Sequence, residues 1–234
     1  MPTLIDLHGF GAQLLAGTFV TLQLALASVV LGLALGLLGA SAKLSDFVAM
    51  RLVGDGYSTL VRGLPEFLVV LTFYFGATDL LMGIASWFGY DEYIEVSAFA
   101  AGTTALGFIF GAYASELFRG AIIAIPAGQS EAARALGMSR RQTFFRITLP
   151  QVWRIALPGL GNLFMILMKD TALVSVVGLE ELMRVTTFAV GRTKEPFTFY
   201  LAAAVIYLIL TSIASYGLRH MEKRANLGVR ELAQ

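Results

Sequence analysis

From Gly9 to Ala42 the chain carries no Asp, Glu, Lys or Arg. A helix needs only about 20 apolar residues to cross about 30 Å of hydrocarbon, and this stretch is longer than that. Inside a bilayer the backbone must satisfy its own hydrogen bonds, so such a stretch reads as a helix. The first span is placed at 17–41. The same reading gives further spans at 64–82, 96–118, 155–179 and 197–218, the fourth interrupted by Lys169 and Asp170. Composition agrees: 57% of the 234 residues are hydrophobic and 14% charged, against roughly 25% charged in a soluble domain. The sequence predicts an all-α integral membrane protein with five transmembrane helices. It reads as one transmembrane domain over 1–234, without repeats, low-complexity tracts or disordered linkers.

The basic residues orient these spans. Lys43, Arg51 and Arg62 lie between spans one and two. Arg119, Arg134, Arg140, Arg141, Arg146 and Arg154 lie between three and four, and four more follow span five. The opposite side carries Arg184, Arg192 and Lys194, together with the acidic Asp91, Glu92 and Glu95. Positive residues accumulate on the cytoplasmic side, so the N-terminus is expected outside and the C-terminus in the cytoplasm. The start has no basic n-region and does not read as a cleaved signal peptide.

Several chemistries are excluded. Without cysteine there is no disulfide framework, thiolate metal site or thiol nucleophile. The two histidines, His8 and His220, sit near opposite ends, where membrane–water interfaces are expected, so no catalytic site or metal site is predicted. No G-x-x-x-x-G-K-[ST] loop occurs, so the chain cannot cradle ATP itself. The alternative reading, an ion-coupled secondary transporter, is disfavoured because five spans do not divide into two equal inverted repeats.

Two small-residue pairs, Gly32/Gly36 and Gly107/Gly111, have the spacing that lets membrane helices approach closely, within the chain or across a dimer. The segment 119–154 is too long for a plain connector. It reads as two short cytoplasmic helices, Ala127 to Leu136 and Arg140 to Leu149. Gly137 suits the left-handed residue that closes the first, Ser139 can cap the second, and Pro150 is expected to end it.

Within this loop Glu131, Ala132, Ala133, Gly137, Ile147, Leu149 and Pro150 form E-A-A, three residues, G, nine residues, I-x-L-P. The pattern resembles the EAA signature of importer permeases in the ABC transporter superfamily. The segments Gly17 to Leu26, Arg62 to Pro65, Gly111 to Ala121, Lys169 to Glu180 and Glu195 to Pro196 are similar to permeases of polar amino acid importers, especially the histidine/lysine/arginine/ornithine and opine types. The resemblance implies a type I ABC importer permease fold in the bacterial inner membrane, with the loop as the coupling helix that docks on a cytoplasmic ATPase. It further implies a second permease (identical or sibling), two ATPase subunits that hold ATP and Mg, and an external solute-binding protein. No cofactor is expected on this chain. Its cargo would be a polar, basic amino acid moved by alternating access.

Ionisable residues in spans usually face the bundle interior or a wet cavity. Glu66, Glu116 and Asp170 are therefore candidates to receive cationic groups of the cargo, with Lys169, Thr171 and Ser175 on the same path. Glu116 can also pair with Arg119 three residues on, and Lys169 and Asp170 can pair at a dimer seam. Outside, Glu180, Glu181, Arg184, Arg192 and Lys194 are candidates to hold the binding protein by charge.

Overall fold

The structure is a computed structural model that describes residues 7–89 and 96–226. Asp91, Glu92, Glu95 and Arg230 of the charge pattern lie outside the described residues. The described residues are helical, and five helices among them are long and apolar enough to cross a membrane. In chain order the helices are α1 (Gly11–Lys43), α2 (Val48–Gly63), α3 (Glu66–Trp87), α4 (Ala98–Ile123), α5 (Ala127–Ala135) and α6 (Arg140–Thr143). A π-helical turn (Phe144–Thr148) leads into α7 (Leu149–Asp170), and a 3-10 segment (Thr171–Val177) ends it. Last come α8 (Leu182–Thr193) and α9 (Pro196–Ala225).

The centre of the bundle is α4, which packs along α1 and also meets α2, α3 and α7. The two glycine pairs face each other across the α1–α4 seam. A Cβ at Gly32 would stand 2.6 Å from the Phe110 ring, and one at Gly36 would stand 2.7 Å from the Ala114 Cβ. On the facing helix, Gly107 receives Leu31, and Gly111 receives Leu35 and the Tyr57 hydroxyl. The small residues thus serve contact within the chain, where close backbone approach replaces the missing hydrophobic drive of helix association in lipid.

Helix α2 replaces what reads in the sequence as a loop between spans one and two. It turns back along α1, with Gly54 against Ala42 and Lys43, and the Tyr57 hydroxyl donates to the Phe108 carbonyl of α4 at 2.7 Å. Its three charges, Arg51, Asp55 and Arg62, dilute an otherwise apolar surface that exposes Phe47, Leu52, Val53 and Leu60. Leu64 and Pro65 are extended, so α2 and α3 meet at an elbow, as the constraint before proline favours.

Pro150 does not end a helix, contrary to the sequence expectation. The Leu149 N–H reaches back five residues to the Phe144 carbonyl, which widens the helix by one residue just before the proline. The wider π turn lets the chain continue past a residue that lacks an N–H. Helix therefore runs without a break from Arg140 to Val177. Gly178, at φ +94°, then turns the chain into α8.

Candidate functional site

The α5–α6 hairpin is built by two complementary caps. At the end of α5, Met138 N–H donates to Ala133 O (3.1 Å) and Gly137 N–H to Arg134 O (3.0 Å), with Gly137 at φ +81°. This is a Schellman closure, and its left-handed residue is where glycine lacks the Cβ penalty. Ser139 then caps α6: its Oγ accepts from Gln142 N–H, and the Gln142 side chain accepts from Ser139 N–H at 2.9 Å. Gln151 on α7 donates to the Gln129 side chain on α5 and to the Ile147 carbonyl, which ties the hairpin to the span. Ala133 is buried in this contact, while Glu131 and Ala132 face solvent. Leu136 is 85% exposed at the tip, with Phe145 and Phe144 exposed on the π turn. Bare apolar side chains of this size on a charged hairpin mark a contact surface.

At the other end of the same continuous helix, Asp170 and Glu66 line a cavity of about 120 Å³ between α3, α4 and α7. Its remaining walls are Ile109, Phe110, Tyr113, Leu163, Ile166 and Leu167. Two acidic side chains in an otherwise apolar chamber are the polar groups that would orient a cationic ligand there.

About one turn along α4 from the cavity-lining Tyr113, a charge cluster joins α1, α2 and α4. Glu116 Oε1 accepts from Lys43 Nζ (2.6 Å) and Arg62 Nη2 (3.2 Å), and its Oε2 accepts from Arg119 Nε (2.9 Å). Lys43 is fully enclosed and also donates to the Ser58 hydroxyl.

On the α8 side, Glu181 is wholly buried. Its carboxylate caps α8, accepting from Arg184 N–H (2.8 Å) and Met183 N–H (2.9 Å). It also accepts from the Thr21 and Tyr207 hydroxyls, both at 3.4 Å. Burial pushes its carboxyl up from the ordinary value, opposed by these same donors. Around it, Glu180, Arg184, Arg192 and Lys194 are exposed.

Residues 28–227 match the protein family described as binding-protein-dependent transport system inner membrane component. The chain belongs to that family. It is 46% identical over 223 residues to the nopaline transport system permease protein NocQ of Agrobacterium fabrum, covering 95% of this chain and 94% of that protein. It is 43% identical over 224 residues to the histidine/lysine/arginine/ornithine transport system permease protein HisQ of Salmonella typhimurium, covering 96% and 98%. Among solved structures, an amino acid ABC transporter with histidines superposes at TM-score 0.78, with 32% identity over 95% of this chain and 100% of that one. The inward-facing MetNI methionine ABC transporter superposes at TM-score 0.65 with 18% identity, a likeness of fold alone.

For this inner-membrane transport component the structure sorts the residues singled out in the sequence. Glu66 and Asp170 share one cavity. Lys169, one residue from Asp170, diverges into an open groove between α7 and α9 lined by Ala204, Tyr207, Leu208 and Thr211. Glu116 is not among the residues lining the cavity, and its two oxygens already serve three cations, so it is not a free acceptor for cargo. Thr171 is buried, with its hydroxyl given to the Met168 carbonyl, and does not line an open path. Ser175 is half-buried, and its carbonyl accepts from Arg184. Neither threonine nor serine joins the cavity wall, because the helix tightens to 3-10 geometry at Thr171 and shifts their faces. Glu181 is corrected as a docking contact, since a fully enclosed carboxylate occupied by four donors presents nothing to an external protein.

Three positions of the candidate site were not singled out in the sequence. Tyr113 and Phe110 wall the cavity but read there as ordinary span residues. Lys43 reads as a boundary marker for span one, although a lysine directly after a long uncharged run has its aliphatic stem in the membrane and needs a partner for its ammonium.

Proposed function

We propose that this permease subunit imports cationic amino acids, or opines that carry such a group, by ATP-driven alternating access. One observation carries the reading: the exposed hairpin with Glu131 and Ala132 and the cavity with Asp170 lie at the two ends of one uninterrupted helix. The charge bias supports a cytoplasmic hairpin, and the names of NocQ and HisQ agree with a cargo bearing amino and basic groups. Two ATPase subunits, holding ATP and Mg, would move the hairpins of this chain and of a second permease. Nucleotide then biases a two-state pore, and an external binding protein loads it. Glu66 and Asp170 would receive the cationic groups of the cargo, while Tyr113 and Phe110 pack its aliphatic part.

The test is purification with partners in mild detergent, then reconstitution and ATP-dependent uptake of arginine. An ATPase and a second permease should co-purify. D170N and E66Q should each raise the KM for arginine by about tenfold or more, because each removes a charge-assisted contact worth about 1.5–3 kcal/mol. Arginine uptake by the isolated chain without ATP would replace this reading with an ion-coupled secondary transporter. Unchanged KM in both variants would remove the cavity from the cargo path.

A further inference from the structure

The Glu66 carboxylate stands on the first residue of α3, directly after the extended Leu64–Pro65 elbow. Its position follows from where the last turn of α2 stops, together with the packing of α3 on α4 through buried Val69 and Val70. The end of α2 is tied to α1 and α4 through Arg62 and Ser58. Arg62 Nη2 donates to Glu116 at 3.2 Å, and Arg62 Nε donates to its own helix at Ser58 O. The Ser58 hydroxyl lies 3.5 Å from the same Glu116 oxygen and accepts from Lys43. Glu116 in turn is three residues past Tyr113, which walls the cavity on α4. The two walls that carry Glu66 and Tyr113 are thus pinned together through one carboxylate.

We infer that Glu116 is a positioning residue for cargo recognition: it holds the α2–α3 elbow against α4 and so sets where Glu66 stands in the cavity. The inference rests on the reading of that cavity as the cargo site. Both oxygens of Glu116 are committed, one to Lys43 and Arg62 and the other to Arg119, so no water or cargo is needed to satisfy it. Within the cluster the remaining anion is Asp55, 4.0 Å from Lys43 and largely exposed. Removing the Glu116 charge leaves three cations, from three helices, facing one another without a shared counterion. Lys43, with its side chain enclosed, cannot escape to water. Repulsion then acts across the α2–α4 contact, and the element free to yield is the two-residue elbow. Glu66 recedes from Asp170, and a cation loses one of its two carboxylates while the coupling hairpin, on the far end of α7, is untouched.

The test uses the complete reconstituted transporter and the absence of cysteine in this chain. Spin labels on Leu64→Cys at the elbow and Ile123→Cys at the end of α4 report the elbow distance by pulsed electron resonance. E116Q should lengthen or broaden that distance, and E116D should restore it. In uptake assays E116Q should raise the KM for arginine about tenfold while kcat changes less than about twofold. On an E66Q background the same change should add less than about twofold, since Glu116 acts through Glu66. If E116Q does not assemble, R62Q removes one tie with less disturbance and should move both readouts the same way. An elbow distance unchanged in the assembled variants overturns the proposal, as do KM effects of E116Q and E66Q that simply multiply. A displaced elbow alongside an E66Q variant of wild-type KM overturns the cavity reading instead, and the recognition role falls with it.

Discussion

Gly36→Ala is the sharpest test of how this bundle is held together. A methyl group at position 36 would lie 2.7 Å from the Ala114 Cβ and 3.3 Å from its carbonyl carbon. Carbon atoms prefer about 3.5–4.0 Å, so α1 and α4 must separate by about 1 Å at that level. The neighbours cannot absorb this, because Gly32 and Gly39 on the same face are in equally close contact with Phe110 and Ser115. Overpacking of a fitted core costs about 1–3 kcal/mol. For a chain of this size that is a fall in Tm of about 2–12 °C. The control has the opposite sign. Gly76, inside α3, has nothing within 4 Å of a built Cβ, and Gly→Ala in an open helical position stabilises by about 0.4–1 kcal/mol. Thermal unfolding in detergent, followed by size-exclusion fluorescence, should therefore order the variants as G36A below wild type and G76A at or above it. Equal stability of G36A and wild type would show that the seam is looser than the geometry demands, and the close-approach account would be wrong.

Gly137→Val forces a β-branched residue to φ +81°, where glycine has no Cβ penalty. It should cut transport to background while the chain still inserts and α7 still forms; normal uptake would remove the hairpin from coupling. Glu131→Arg, on the exposed face of α5, should release the ATPase during purification, and retained ATPase would argue against docking there. The charges around α8 (Glu180, Arg184, Arg192 and Lys194) are exposed, so stimulation by a binding protein should weaken as salt shortens the screening length to about 10 Å and below. Stimulation that is independent of salt would remove them from the contact. Glu181 gives a pH dependence. Burial raises its carboxyl, so the native state holds that proton at higher pH than the unfolded chain does. Stability from this group is then greatest below the ordinary carboxylate value of about 4.3 and is lost as pH rises through the native value. The Tm of wild type relative to E181Q should fall across that rise; a difference that does not vary with pH would contradict the assignment.

The long spans were legible because an uncharged run such as Gly9–Ala42 leaves the chain no other folded option in a membrane. The hairpin caps at Gly137 and Ser139 were legible because each depends on residues within four positions. What escaped the sequence depends on distant partners. Lys43 and Glu116 are 73 positions apart, and Glu181 and Thr21 are 160 apart, so neither reads as paired before the helices are packed. Helix α2 was lost because Arg51, Asp55 and Arg62 interrupt its apolar pattern, yet one of these charges, Arg62, pairs with Glu116 of α4. Pro150 misled for a local reason: a proline stops an α-helix, but a single π turn restores the register.

That π turn also bears on how force crosses the molecule. The 22 residues of α7 span about 33 Å, so the hairpin and Asp170 are separated by roughly the thickness of the hydrocarbon layer. The π turn at Phe144–Thr148 and Pro158 within α7 are two places where the hydrogen-bond ladder is interrupted or widened. A pull on α5 and α6 therefore has a defined point at which to tilt α7, and a second at which to bend it, before the motion reaches the cavity. On the proposed reading, cargo release requires Asp170 to move relative to Glu66, and the turn before Glu66 is tied to α4 through Arg62 and Glu116. One carboxylate stands on the helix that carries the hairpin and the other on α3, which packs on α4. On that reading a movement of the hairpin would be felt at the cavity as a change in the distance between two acidic side chains, and hence in affinity for a cation.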